Sequence, residues 1–321
     1  MHFIRAILTT SALMVACSAA AQTYPSKPIR IVVVSTPGGS VDTLARSVAP
    51  RLSERWGQQV IVENRPGAGG AIAAELVARS PADGYTLIMG TVASFATNVS
   101  LRKKLPYDPV KDFAPITLVA TQNLMLLVHP TVPARSVKEL VVLARKSPGT
   151  LSFASAGNGT GGHLSGELFK LLAGVDLLHV PYKGVAPAIL DMVSGQVTMT
   201  FSSILSGLPQ VSTGRLRPLA VTGERRSPAV PQLPTMVEAG VKGYESTTWY
   251  GLLAPAGTPP EIVNKLNAEV VAILKTPELN ERLSKEGADP VGNSSAEFAQ
   301  FIQSEIDKWR KVIAKAKIAP G

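Results

Sequence analysis

Gly157, Gly159 and Gly162 give the spacing G-x-G-x-x-G within the stretch SAGNGTGGHLSGELF. In a dinucleotide fold, that spacing lets the backbone turn tightly and seats a pyrophosphate on a helix N-terminus. An apolar run, TLSFAS, precedes it and an apolar-periodic segment follows, so strand, turn and helix come in the required order. Two requirements of that chemistry are missing. The acidic residue that holds the ribose belongs at the end of the next strand, and Asp176 precedes the run LLHV instead of following it. The turn also lies in mid-chain, whereas the first strand-to-helix turn, VVVSTPGGSVD, lacks the spacing. No cofactor is expected.

Anion binding survives as the chemistry of these glycines. Glycine lets a ligand approach the backbone closely, and the first N–H groups of a helix have no partner inside it. Together with the helix dipole they attract a carboxylate or phosphate. Three such starts occur, at Gly38-Gly39, Gly69-Gly70 and Gly161-Gly162. Ser35, Thr36 and Ser40 surround the first; Ser155, Asn158 and Thr160 lie at the third. One such loop alone is a tight turn; three at the C-terminal ends of strands favour a ligand cleft.

Reactive constellations are missing from the sequence. There is no H-E-x-x-H, no G-x-S-x-G and no Walker loop, so neither a catalytic residue nor a metal site is expected. Of the histidines, His2 belongs to the leader, and His129 and His179 read as structural groups at or within strands. His163 sits in a first helical turn, where it either donates to an anion or contributes to the turn. The stretch KWRKVIAKAK reads as the solvated face of a helix whose other side carries Trp309 and Ile313, and no nucleic acid partner is expected.

Several elements must position these loops. The chain has 321 residues, enough for two compact domains, and a formal charge of +9 without long runs of like charge. Residues 1–21 read as a secretory leader: Arg5, an apolar core from Ile7 to Ala16, and Ala19-x-Ala21 as the cleavage pattern. Cys17, the only cysteine, lies in that leader and is the alternative point of lipoprotein anchoring. Beyond it, strands and helices alternate, which predicts a mostly parallel sheet covered on both faces. IRIVVVS, QVIVEN, GYTLIMG, LMLLVHP, TLSFASA, LLHVPY, VTMTFSS, LRPLAVTG and TTWYGLLAPAG read as strands. Ser136-x-x-Glu139, Thr258-x-x-Glu261 and Ser294-x-x-Glu297 read as capping boxes that open helices.

Longer stretches carry a family likeness. YPSKPIRIVVVSTPGGSVDTLAR, VIVENRPGAGGAIAAELVARSPADGYTLIMG, YDPVKDFAPIT, GTGGHLSGELF, HVPYKG and WYGLLAPAGTP resemble the Bug family, solute-binding receptors of tripartite tricarboxylate transporters. ENRPGAGG and PYKG are the specific parts, and the likeness covers the whole chain after the leader. It implies an α/β, type II periplasmic binding fold: two Rossmann-like lobes joined by two crossovers, with a ligand cleft between them. Lobe 1 would comprise 22–123 and 250–321, and lobe 2 124–249. The resemblance further implies a monomeric periplasmic receptor without enzymatic activity. It would pass a small carboxylate (a di- or tricarboxylate, or an aromatic acid) to the membrane subunits of the transporter, or report it as a sensory receptor. By motif, the ligand residues would be Ser35, Thr36, Gly38, Gly39, Asp42, Gly69, Gly70, Thr91, Ser94, Asn158, Thr160, Gly161, His163, Lys183, Gly184 and Ser202. Asp42 would orient its loop, because an unpaired carboxylate repels an anion. Where many relatives have Phe-Asp, this chain has Phe201-Ser202-Ser203. That aspartate suits a ligand amine, so Ser202 implies a ligand without one.

Overall fold

The computed structural model describes residues 24–316 and 318; the expected leader lies outside the described residues. Strand β1 (Ile29–Val33) is β-branched and buried at every position but Arg30, as a strand covered on both faces must be. It pairs in parallel with β2 (Val60–Asn64) and β3 (Thr86–Thr91). Helix α1 (Ser40–Trp56) connects β1 to β2, and α2 (Ala71–Ala78) connects β2 to β3. After β3 the chain makes a π-helical turn, Ala93–Thr97, that runs into the short α3 (Asn98–Leu101).

Strand β4 (Phe113–Val128) serves two neighbourhoods. From Phe113 to Asn123 it pairs with β9 (Thr247–Pro255); from Leu124 onward it pairs with β7 (Met199–Ser203) and β8 (Arg217–Val221). The sequence reading starts this strand at Leu124, well after its true beginning. Pro115 and two register shifts break the pattern, and Thr117, Gln122 and Asn123 interrupt the apolar run. Beyond β4 come α4 (Val137–Lys146), β5 (Ser152–Ser155), α5 (Gly161–Ala173), β6 (Leu178–Pro181), α6 (Val185–Val193) and α7 (Ile204–Ser212). The strand order is β2-β1-β3-β9-β4-β7-β5-β6, with β8 and β10 (Ala288–Pro290) also on β4. The sheet is mixed and not mostly parallel. Strands β4 and β9 pass between the two halves and therefore run against their neighbours.

Each half has its own core. Val33, Leu52, Ile88, Leu253, Ile273 and Trp309 belong to one continuous cluster around β1, β3 and β9. Around β5 to β7, Phe153, Phe169, Phe201 and Tyr244 cover one face and Met125, Ala188, Met192 and Ile204 the other. The chain returns to the first core through α8 (Pro260–Leu274), α9 (Pro277–Lys285) and α10 (Ser295–Lys315).

The three capping motifs diverge. Ser294 and Glu297 make the reciprocal box that opens α10. Ser136 accepts the Glu139 amide at 3.2 Å, but the Glu139 carboxylate takes the Arg135 N–H, one residue further out. Thr258 makes no box. Its hydroxyl donates to the Pro255 carbonyl at 2.8 Å, and the two following prolines delay α8 until Pro260.

Candidate ligand-binding site

The first loop follows β1. Gly38 has a φ of +80°, and Gly39, with no side chain to offer, stands at the N-cap of α1. Asp42, in the first helical turn, is buried and fully engaged. Its Oδ2 accepts the Gly38 N–H at 2.9 Å; its Oδ1 accepts Arg46 Nε at 3.0 Å and Asn64 Nδ2 at 2.9 Å. Burial would raise its pKa, but the bonds from Arg46, Gly38 and Asn64 outweigh that and hold the carboxyl below its ordinary value. Asn64, the last residue of β2, also donates to the Ser35 carbonyl at 3.0 Å, so the ends of two adjacent strands are tied through this carboxylate. The Ser35 hydroxyl turns to the Thr36 carbonyl at 3.2 Å.

The second loop follows β2. Gly69 and Gly70 both have positive φ and lead into α2, again without a side-chain cap. Asn98 donates to the Gly69 carbonyl at 3.1 Å and Arg102 to that of Ala68 at 2.6 Å. After β3, Thr91 and Ser94 bond to each other: the Thr91 N–H donates to Ser94 Oγ at 3.0 Å, and that hydroxyl lies 3.1 Å from the Thr91 carbonyl. Ser94 is fully buried, and the Tyr107 hydroxyl donates to its carbonyl, while burial pushes the Tyr107 phenol up to about 12.

The third loop follows β5. Thr160 is the N-cap of α5, yet its hydroxyl donates to the Gly157 carbonyl at 2.7 Å and leaves the first-turn amides uncapped. His163 Nδ1 accepts the Gly159 N–H at 3.0 Å, so the ring is neutral with its proton on Nε2. Of the two roles open to His163 in the sequence, a contribution to the turn is the one this contact displays. Its ring stacks on His179 at 4.1 Å, and His179 Nε2 lies 2.7 Å from Ser155 Oγ. Burial drives His163 down to about 3 and His179 to about 4, with Lys170 reinforcing both and His179 adding to the shift of His163. A Cβ at Gly162 would sit 2.7 Å from the Phe201 carbonyl, so α5 can start against β7 only with glycine there.

These loops meet across the gap between the halves. Thr97 Oγ1 donates to the Gly159 carbonyl at 2.9 Å. A Cβ at Gly69 would stand 3.5 Å from the Asn158 carbonyl, and one at Gly184 3.5 Å from Thr36 Oγ1. Within the second half, a Cβ at Gly161 would lie 3.1 Å from Thr248 Cβ. Lys183 is exposed beside Gly184, which is the N-cap of α6. Ser202 is on β7, buried, and its Oγ has no hydrogen-bond partner among the described residues. The helix starts differ by location. Serines cap α4, α7 and α10, and α8 and α9 carry proline in the first turn. The glycine-led starts of α1, α2, α5 and α6 have no side-chain cap. Apart from that of Ala71, which donates to the Ala68 carbonyl, their first N–H groups have no side-chain acceptor and are available to an anion. Sequence reasoning missed Arg46, Asn64, Thr97, Asn98, His179 and Thr248. For Asn64 a signal existed, a polar residue closing a β-branched strand at the end where ligands bind.

Two α/β halves, linked by two crossing strands and facing each other with uncapped helix starts, define a two-lobe solute-binding protein. Residues 44–318 match the family described as "Tripartite tricarboxylate transporter family receptor", and the chain belongs to that family. It is 35% identical over 300 residues to Protein BugT of Bordetella pertussis, covering 93% of this chain and 92% of BugT. A solved R. palustris protein with adipate superposes with a TM-score of 0.90 at 42% identity, covering 93% of this chain and all of that one. MatC from Rhodopseudomonas palustris, with bound malate, gives 0.84 at 35% identity over 90% of this chain and all of that one.

Proposed function

We propose that this chain is a periplasmic receptor that closes around a small carboxylate lacking an amine and delivers it to the membrane subunits of a tripartite tricarboxylate transporter. It acts as a monomer, exported by its leader, and alters no bond in its ligand. Residues 22–123 with 250–321 move as one lobe and 124–249 as the other. One observation carries the reading: uncapped, glycine-led helix starts from both halves come together where the halves meet, Gly184 beside Thr36 and Gly69 beside Asn158. Amides and dipoles of α1 and α5 can hold a carboxylate from opposite sides. A ligand that touches both lobes favours closure by the difference in its affinity for the closed and open forms. The adipate and malate seen in similar proteins support the class.

A thermal-shift screen against C4–C6 dicarboxylates, tricarboxylates, aromatic acids, aspartate and glutamate tests this. A ligand at about a hundred times its Kd adds about 2.7 kcal/mol, a rise of several degrees for domains of this size. Acids without an amine should shift the transition further than aspartate or glutamate. A flat response to every acid, with a response to sugars or cations, overturns the ligand class. Turnover of any panel member overturns the receptor reading.

A further inference from the structure

Gly159 is held on its two sides by different halves of the protein. Its N–H goes to His163 Nδ1 within its own half, and its carbonyl accepts the Thr97 hydroxyl from the other half. Thr97 closes the π-turn Ala93–Thr97, all five residues of which are buried. Such turns are uncommon and cluster at functional positions. Glycine is required at 159: φ is +78°, and a Cβ would stand 2.9 Å from Thr97 Oγ1. His163 can accept only while neutral. From its own helix, Lys170 faces it, paired with Glu167 at 3.1 Å; from β6 it meets His179; from β5 it meets the uncharged Phe153.

Building on the receptor reading, we propose that Gly159 is the latch of the closed state. His163 holds the 158–159 peptide from within one lobe, and the backbone angles of Gly159 carry the carbonyl of the next peptide to Thr97 on the other. The same bond sets the loop that presents the α5 N-terminus to the ligand. Thr97 and His163 are therefore positioning residues that act on ligand retention through Gly159. Valine at 97 matches threonine in shape but cannot donate, and leaves the carbonyl without its partner. Asparagine at 163 offers an acceptor where Nδ1 stands; leucine does not.

Binding is measured with adipate as probe, or with the strongest acid of the panel above should adipate not bind. Thr97→Val should weaken it about tenfold, equivalent to roughly 1.4 kcal/mol, chiefly through faster dissociation, while Thr97→Ser stays near the parent. His163→Asn should hold affinity and His163→Leu should lose it. Nitrogen NMR should show His163 protonated at Nε2 alone. A ligand-free arm uses spin labels at Arg79→Cys and Lys146→Cys in a Cys17→Ser background, both sites being exposed and in different halves. There Thr97→Val should enlarge the long-distance population. Unchanged affinity and unchanged distances in Thr97→Val overturn the latch, as does a His163 proton on Nδ1. If the parent binds no acid at all, the receptor reading fails, and the spin-label distances still decide the latch.

Discussion

At the scale of single residues, a buried hydroxyl without a partner is unused hydrogen-bonding capacity, which proteins seldom leave in place. Ser202 is in that state while its neighbour Ser203 caps α7 by accepting the Ser206 N–H at 3.2 Å. Two adjacent serines thus divide between structure and an open position. Asp42 shows the opposite case, a carboxylate whose oxygens are consumed by Gly38, Arg46 and Asn64. Ser202→Asp should therefore add a site for an ammonium group without disturbing α7. A hydrogen bond to a charged group contributes about 1.5–3 kcal/mol, so the preference for glutamate over glutarate should rise by about tenfold or more. Calorimetric titration of both acids checks this; an unchanged ratio removes Ser202 from the ligand contacts.

Elements add the conditions under which those residues work. Strands β5 and β6 and helix α5 bury two neutral imidazoles in one stack. In the unfolded chain each takes a proton near pH 6.5; in the folded protein they resist to about 3 and about 4. The unfolded state thus binds more protons as pH falls below about 6.5, so stability is full above that value and declines toward pH 4. The limiting slope is about 1.4 kcal/mol per pH unit for each ring. Urea unfolding at pH 7.5, 6.0 and 5.0 should show the loss, and His163→Asn should reduce it; a flat profile for the parent excludes the stack as its source.

Most of these elements were legible in the sequence because burial writes period and run length directly. The β-branched run of β1, the Gly57 stop of α1 and the Ser294–Glu297 box of α10 all needed only local chemistry. Glycine loops were visible for the same reason. The first part of β4 was not, since a bulged strand with Pro115 and buried Thr117 and Gln122 mimics a loop. Those polar groups are satisfied by distant partners: Thr117 donates to Asn293 O at 2.8 Å, and Gln122 accepts the Tyr250 hydroxyl at 2.6 Å. Thr97 escaped notice, and His179 read only as a structural group, because their partners, Gly159 and Ser155, are remote in sequence.

Across the whole molecule, α10 binds the crossing strand β9 to the first core. The buried Glu305 carboxylate accepts both indole N–H groups, from Trp249 on β9 and Trp309 on its own helix, each at 2.9 Å. Lys308 adds an ion pair to Glu245, just before β9, and Val312 touches a core on each side. Glu305→Ala leaves two buried donors unpaired and opens a cavity, a loss on the order of 2–4 kcal/mol. Thermal unfolding should register it as a drop of several degrees in Tm. A change below about one degree would mean that the indoles find other acceptors.

Strand β9 lies between β3 and β4 although nearly the full length of the second half separates it from them in sequence. During synthesis, β1 to β3 therefore emerge long before the strand that completes their sheet. Until residues 247–255 and the helices behind them are made, the early segments have an open edge and an uncovered apolar face. The last quarter of the chain thus decides when the first quarter can settle.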